Sequence, residues 1–124
     1  MFRKKKESGI PVGHYEGIEG FATDYPCRIE VKGDVFEIRR IKPETTVTLP
    51  MNRIKSFSAL EEKNFMQKYH GTARTTGKSG ITKYYLVVEY DKGMLAFWGT
   101  AKEYKQFIAL QYATNTAAPS HIEL

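Results

Sequence analysis

Hydrophobic and polar residues alternate along most of this chain. Cys27, Ile29 and Val31 are interleaved with Arg28, Glu30 and Lys32, a period of two that predicts a half-buried strand. Gly33-Asp34 supplies a tight turn. Phe36 and Ile38 then share one face, opposite Glu37 and Arg39, while Ile41 falls out of phase and predicts a bulge or shift near Arg39 and Arg40. TTVTL, 45–49, puts Val47 and Leu49 on one face before Pro50 stops it, and MNR turns the chain into a strand over IKSFSALEE. A weaker strand is expected from Phe65 to Tyr69. YYLVVEY, 84–90, is the most apolar stretch and reads as a central strand, with Asp91-Lys92-Gly93 turning it into MLAFW as a hairpin.

The period then changes. Thr100 is followed three residues later by Glu103, a capping-box spacing that opens a helix. Tyr104, Phe107, Ile108 and Tyr112 recur at intervals of three and four, which predicts one apolar stripe over about three turns. A run of strands closed by a single amphipathic helix argues for a strongly bent sheet or barrel with the helix as its plug. Residues 1–13 read as a basic arm, 14–113 as one folded domain and 114–124 as a loose tail.

At this point TVTLPMNRIKSF resembles the segment of bacterial pleckstrin-homology-like domains in which a strand ends in Leu-Pro and an Ile opens the next. The order CRIEV, VFEI, TVTLP, IKSF, YYLVVEY, MLAFW and helix AKEYKQFIAL is similar to that family over roughly residues 14 to 113. The resemblance implies a mainly β fold, a barrel of two nearly orthogonal antiparallel sheets with about seven strands, closed by one C-terminal α-helix. Some such relatives carry a further helical module at the C-terminus, which TNTAAPSHIEL does not resemble.

Charge changes the picture less than its total of +5 suggests. Arg3, Lys4, Lys5 and Lys6 hold four of the 19 basic residues, leaving 15 against 14 acids, so the folded part is nearly neutral. Nucleic-acid binders carry their basic excess on the folded face that meets phosphates, and a role of that kind is not expected here. Phe2, Arg3, Lys4, Lys5 and Lys6 are instead membrane-surface candidates, at about 1 kcal/mol per cation beside an anionic leaflet. Lys32, Arg40 and Lys42 resemble the basic hairpin of lipid-binding eukaryotic relatives, although Glu30 and Glu37 dilute the charge and a lysine replaces the final arginine. Tyr69, Tyr84 and Tyr90 are candidates for a protein-binding surface, since open strand edges and surface aromatics suit peptide recognition. A protein or peptide partner is therefore the leading expectation, and an anionic membrane the alternative.

Catalytic chemistry finds little support. GTARTTGKSG, 71–80, looks like a phosphate-binding loop around Gly77-Lys78-Ser79, but one residue too many separates Gly71 from Gly77. It also precedes the strand-like ITKYYLVVEY, where a phosphate loop must open a helix. His14, His70 and His121 are far apart, with His14 expected at the surface, and no His or Cys pair has metal-ligand spacing. Glu61 and Glu62 would point to opposite faces of a strand. No enzyme activity, cofactor, metal or nucleotide is expected. The one cysteine, Cys27, reads as a small buried hydrophobe and fits a reducing compartment. No apolar run follows the basic start or approaches a membrane span, so a cytoplasmic location is expected, with contact at the inner membrane face through the arm.

Overall fold

A computed structural model of the chain describes residues 9–40, 44–71 and 82–117. Seven strands form: β1 (Ile10–Glu16), β2 (Tyr25–Lys32), β3 (Val35–Arg40), β4 (Thr45–Pro50), β5 (Ile54–Glu61), β6 (Tyr84–Tyr90) and β7 (Gly93–Gly99). A one-turn 3-10 segment, Met51–Arg53, joins β4 to β5, and two helices follow: α1 (Glu62–His70) and α2 (Ala101–Ala117). The strands make one antiparallel sheet in the order β4-β3-β2-β1-β7-β6-β5.

That order forces the sheet to curl. Its two edge strands, β4 and β5, are consecutive in sequence. Seven strands laid flat would hold their edges about 29 Å apart at the usual strand spacing. The short connection from Pro50 to Ile54 spans at most about 14 Å. The rings of Phe36 on β3 and Phe57 on β5 meet at 5.3 Å, although four strands separate theirs in the sheet order. The concave face accordingly encloses one core, containing Ile29, Phe36, Ile38, Phe57, Leu86, Val88 and Phe97, with Phe107 of α2 inserted into it.

The expected barrel of two sheets is met in its strand number, its antiparallel order and its terminal helix. The strands, however, belong to a single hydrogen-bonded sheet that is not closed, with β4 and β5 as open edges. The weak strand expected at Phe65 to Tyr69 is a helix, α1. Its Phe65, Met66 and Tyr69 pack on Tyr85 and Val87, on the convex face of the sheet. Gly71 ends it in the left-handed region at φ 65°, donating its N–H to the Met66 carbonyl. Thus β6 is buried on both faces, which explains its unbroken apolar run, although β1 is the middle strand of the order.

Several local expectations also change. β1 begins at Ile10, inside the stretch read as an arm, because Ile10 to His14 pair with Ile29 to Tyr25. The register between β2 and β3 runs unbroken through Arg40, so no bulge forms there; Ile41 lies outside the described residues. Register shifts occur instead between His14 and Glu16 and between Ile54 and Ser56. Helix α2 runs on to Ala117, into the stretch read as a tail. Its buried side is Phe107 with Tyr104 and Leu110 packed beside it, whereas Ile108 and Tyr112 are 45% and 70% exposed. Among the described residues, no helix is long and apolar enough to cross a membrane.

Candidate functional site

The two open edges are not equivalent. On β5 the outward Ala59 N–H donates to Gln111 Oε1 of α2 at 2.7 Å, and the helix lies along that edge. On β4 no second strand or helix takes that place among the described residues. The Met51 N–H donates to the Asp34 carbonyl at 2.8 Å, one step beyond the Val35–Pro50 pair. Antiparallel pairs alternate between bonded and non-bonded, so Leu49, Val47 and Thr45 bond to β3. The N–H and C=O groups of Thr46 and Thr48 then face outward, with the Pro50 carbonyl. Pro50 lacks an N–H only where it would have pointed away from the sheet. TTVTLP also contains no charged residue, the usual protection of an exposed edge.

A cleft of about 330 Å³ adjoins this edge. Val47, Thr48 and Leu49 form one side, Tyr90 and Leu95 the floor, and Gly17, Ile18 and Glu19 the opposing wall. Arg53 and Lys92 stand at its rim. Arg53 is locked in a bidentate pair with Asp91, its Nε 3.1 Å from both carboxylate oxygens and its Nη2 2.9 Å from Oδ1. Those bonds hold the Asp91 carboxyl below the usual carboxylate range. They tie the turn ahead of β5 to the β6–β7 turn.

The opposing wall is the β1–β2 loop, and its position follows from three residues. Gly17 has φ 115°, and a Cβ there would lie 2.5 Å from the Met94 carbonyl oxygen, so only glycine lets the loop pass β7. Arg40 lies 4.7 Å above the Phe21 ring and donates to the Gly20 carbonyl at 3.3 Å and to Thr45 Oγ1 at 2.8 Å. His14, expected at the surface, is only 2% exposed and sits beneath the loop. The Ile18 N–H donates to its Nε2 at 3.2 Å, which leaves Nδ1 to carry the proton and donate to the Ala22 carbonyl at 3.1 Å. Two bonds to this buried β1 histidine anchor the β1–β2 loop to the core.

The residues singled out in the sequence are dispersed. Lys32 lies on the convex face, 3.2 Å from Glu37 and 4.0 Å from Glu30. Arg40 is at the other end of the same hairpin, and its position alternates with the convex-facing Arg39, so no basic cluster unites the two. Lys42, Phe2, Arg3, Lys4, Lys5 and Lys6 lie outside the described residues, as does Gly77-Lys78-Ser79. That last segment leads from α1 to β6, helix to strand, the reverse of a phosphate loop's strand to helix. Tyr84 stacks on Tyr104 at 4.2 Å, and Tyr69 donates to Glu89 Oε2 at 3.1 Å on the convex side. Burial and then Glu89 push the Tyr69 hydroxyl up to about 12. Of the three tyrosines only Tyr90 lines the cleft.

Cys27 is buried, as expected, and burial pushes its thiol up to about 11, which keeps it protonated and unreactive. His70 ends α1 and pairs with Glu16 at 2.5 Å. Among the described residues no group of three His, Cys, Asp or Glu side chains could hold a metal ion. A second, shallower hollow of about 280 Å³ lies beside Trp98. Its polar groups already bond one another: Trp98 Nε1 donates to Asp24 Oδ1 at 2.8 Å, and Glu103 Oε1 accepts from Thr100. Sequence reading missed Ile18, Leu95, Arg53 and Asp91. The available signal was GIEGF, 17–21, in which Ile18 and Phe21 are apolar residues set among glycines in a connection between strands. Comparison with protein-family models, with curated proteins and with solved structures found no match.

Proposed function

We propose that this protein is a non-enzymatic interaction module of the pleckstrin-homology-like type, binding a protein or peptide partner that adds an extended strand to β4. The uncharged edge of β4, which no other strand pairs among the described residues, carries this reading, together with the adjoining cleft of Val47, Leu49, Tyr90 and Leu95 rimmed by Glu19, Arg53 and Lys92. An added strand would bond to the backbone of Thr46 and Thr48 and place one side chain over Leu49, Tyr90 and Leu95. Seven antiparallel strands curled around one core, with a C-terminal helix inserted, support the family resemblance. The arm from Phe2 to Lys6 adds a weak, salt-sensitive attraction to anionic membranes, argued from its charge.

Short extended peptides selected from a displayed library test this directly. Selected peptides should shift the amide resonances of Thr46 and Thr48 and stay bound at about 0.5 M salt, where exposed charges are screened. Thr48→Pro removes an outward N–H that β3 does not use. It should keep the fold and lower peptide affinity by about tenfold or more, the worth of a lost hydrogen bond. Peptides that bind Thr48→Pro unchanged, or that shift other residues, would sink the strand-addition reading. Sedimentation with anionic liposomes, with and without residues 1–7, isolates the arm's contribution.

A further inference from the structure

One of the three residues that position the wall of the cleft is a buried imidazole. Ile18 and Ala22 belong to the β1–β2 loop, and both bond to the ring of His14, one as donor and one as acceptor. Only the neutral ring with its proton on Nδ1 satisfies both partners at once. A second proton would turn Nε2 from an acceptor into a donor facing the Ile18 N–H, and that amide would lose its partner. Phe21 and Phe97 pack against the ring at 5.5 and 6.1 Å, so water does not replace the lost bond while the loop stays closed.

We propose that His14 is a latch for the β1–β2 loop, and that protonating its imidazole releases Ile18 and opens the wall of the cleft. As a statement about partner binding this rests on the strand-addition reading; as a statement about the loop it does not. An acidic medium would thus widen or dismantle the site, and neutral pH would set it.

The surrounding charges leave the ring free to act in this way. Burial depresses its basicity, more than the Ala22 carbonyl and Glu16 raise it. Glu16 is the acid on the same strand, and it is engaged by His70 of α1. On β2 the Cys27 thiol stays protonated and donates to the Tyr25 carbonyl. From β3 the Arg40 cation lies 4.7 Å over the Phe21 ring, which in turn packs on His14. In the loop, Asp24 donates its N–H to the His14 carbonyl while its carboxylate turns to Trp98. β7 presents the apolar Phe97 to the ring. Among the described residues, the ring's hydrogen-bond partners are the Ala22 carbonyl and the Ile18 N–H, neither of them a carboxylate.

The test needs no partner. Nitrogen NMR of the His14 ring should find the Nδ1–H tautomer at pH 7.5. In the open loop the ring regains an ordinary pKa near 6.5 while the closed ring stays neutral, so the opening equilibrium should rise by up to about tenfold on going from pH 7.5 to pH 5.5. The exchange protection factor of the Ile18 amide should fall by that factor, while that of Val87 in the core holds. His70→Gln should leave this response intact. His14→Phe keeps the bulk but offers no acceptor, so Ile18 should be weakly protected at both pH values.

An Nε2–H tautomer, a charged ring in a closed loop, or Ile18 protection that tracks Val87 across the range would overturn the latch. A wild-type response persisting in His14→Phe would overturn it equally. If His14→Phe fails to fold, the wild-type and His70→Gln titrations decide alone. Failure of peptides to bind β4 would refute the function above and leave these outcomes unchanged.

Discussion

Trp98 is the chain's single tryptophan, and its ring rests on Gly13 of the neighbouring strand. A Cβ at Gly13 would lie 2.5 Å from Nε1 and 2.8 Å from Cε2 of that ring. The ring cannot easily retreat, because Asp24 holds its N–H and Lys83 lies 4.5 Å over its face. Gly13→Ala should therefore cost about 1–3 kcal/mol through overpacking, read as a lower urea midpoint and a changed tryptophan emission. Identical midpoints and spectra would mean that the ring is not seated there. Glu103 offers a second test at this scale. Burial would raise its carboxyl, but bonds from the Thr100 hydroxyl at 2.6 Å and the Thr100 N–H at 2.8 Å outweigh it and hold the carboxyl below its ordinary 4.5. A depressed folded value means stability that is present above the ordinary value and lost as pH falls below it. Glu103→Gln should cost about 1 kcal/mol at neutral pH, with the gap to wild type closing as pH falls below the ordinary glutamate value. A gap that persists in acid would show that the charge is not its source.

Helices and strands differ in what periodicity reveals about them. In α1 the apolar residues Phe65, Met66 and Tyr69 fit a period of 3.6, but Phe65 and Tyr69, four residues apart, would also share one face of a strand. Packing decides for the helix: the Phe65 ring stacks on Tyr85 at 4.1 Å with 2° between planes, and Tyr15 meets its edge at 5.6 Å. Phe65→Ala should cost about 3–5 kcal/mol, a core-sized loss that a peripheral strand would not show. The opposite error occurs in α2, where the apolar stripe read from spacing is wider than the buried one. Phe107→Ala should cost about 3–5 kcal/mol, while Ile108→Lys, at a position 45% exposed, should stay within about 0.5. Comparable losses for both would restore the wider stripe. Gln111 lies on the buried side despite being polar, because its amide caps the β5 edge. Gln111→Ala should cost about 1 kcal/mol and expose that edge, detected as association at high protein concentration.

Across the whole molecule, the decisive feature is that both edges of the sheet begin at one corner. Because the link from Pro50 to Ile54 is short, all seven strands must share one concave core, and no part of the sheet can fold apart from the rest. Urea unfolding followed by Trp98 fluorescence and by far-ultraviolet circular dichroism should give coincident transitions. Separate midpoints would divide the chain into two folding units. Among the described residues the same curl leaves β4 without a covering element while α2 covers β5, and it brings the β1–β2 loop over the gap. The cleft is thus a consequence of incomplete closure, built from four segments that no local pattern connects.

Residues adjacent in sequence were enough to specify the strands from Tyr25 to Pro50, the β6–β7 hairpin and the start of α2, because alternation, turn residues and capping all act within a few positions. They also specified that Cys27 would be a buried, inert thiol. Tertiary structure decided which face of α2 is buried, whether 62–70 is strand or helix, that His14 lies inside, and that Lys32 and Arg40 point away from one another. Those outcomes depend on what lies across the sheet, at separations where the sequence pattern is silent. Alternation can say that a residue faces one side of a strand; only the curl of the sheet says whether that side meets a core, a helix or an open cleft.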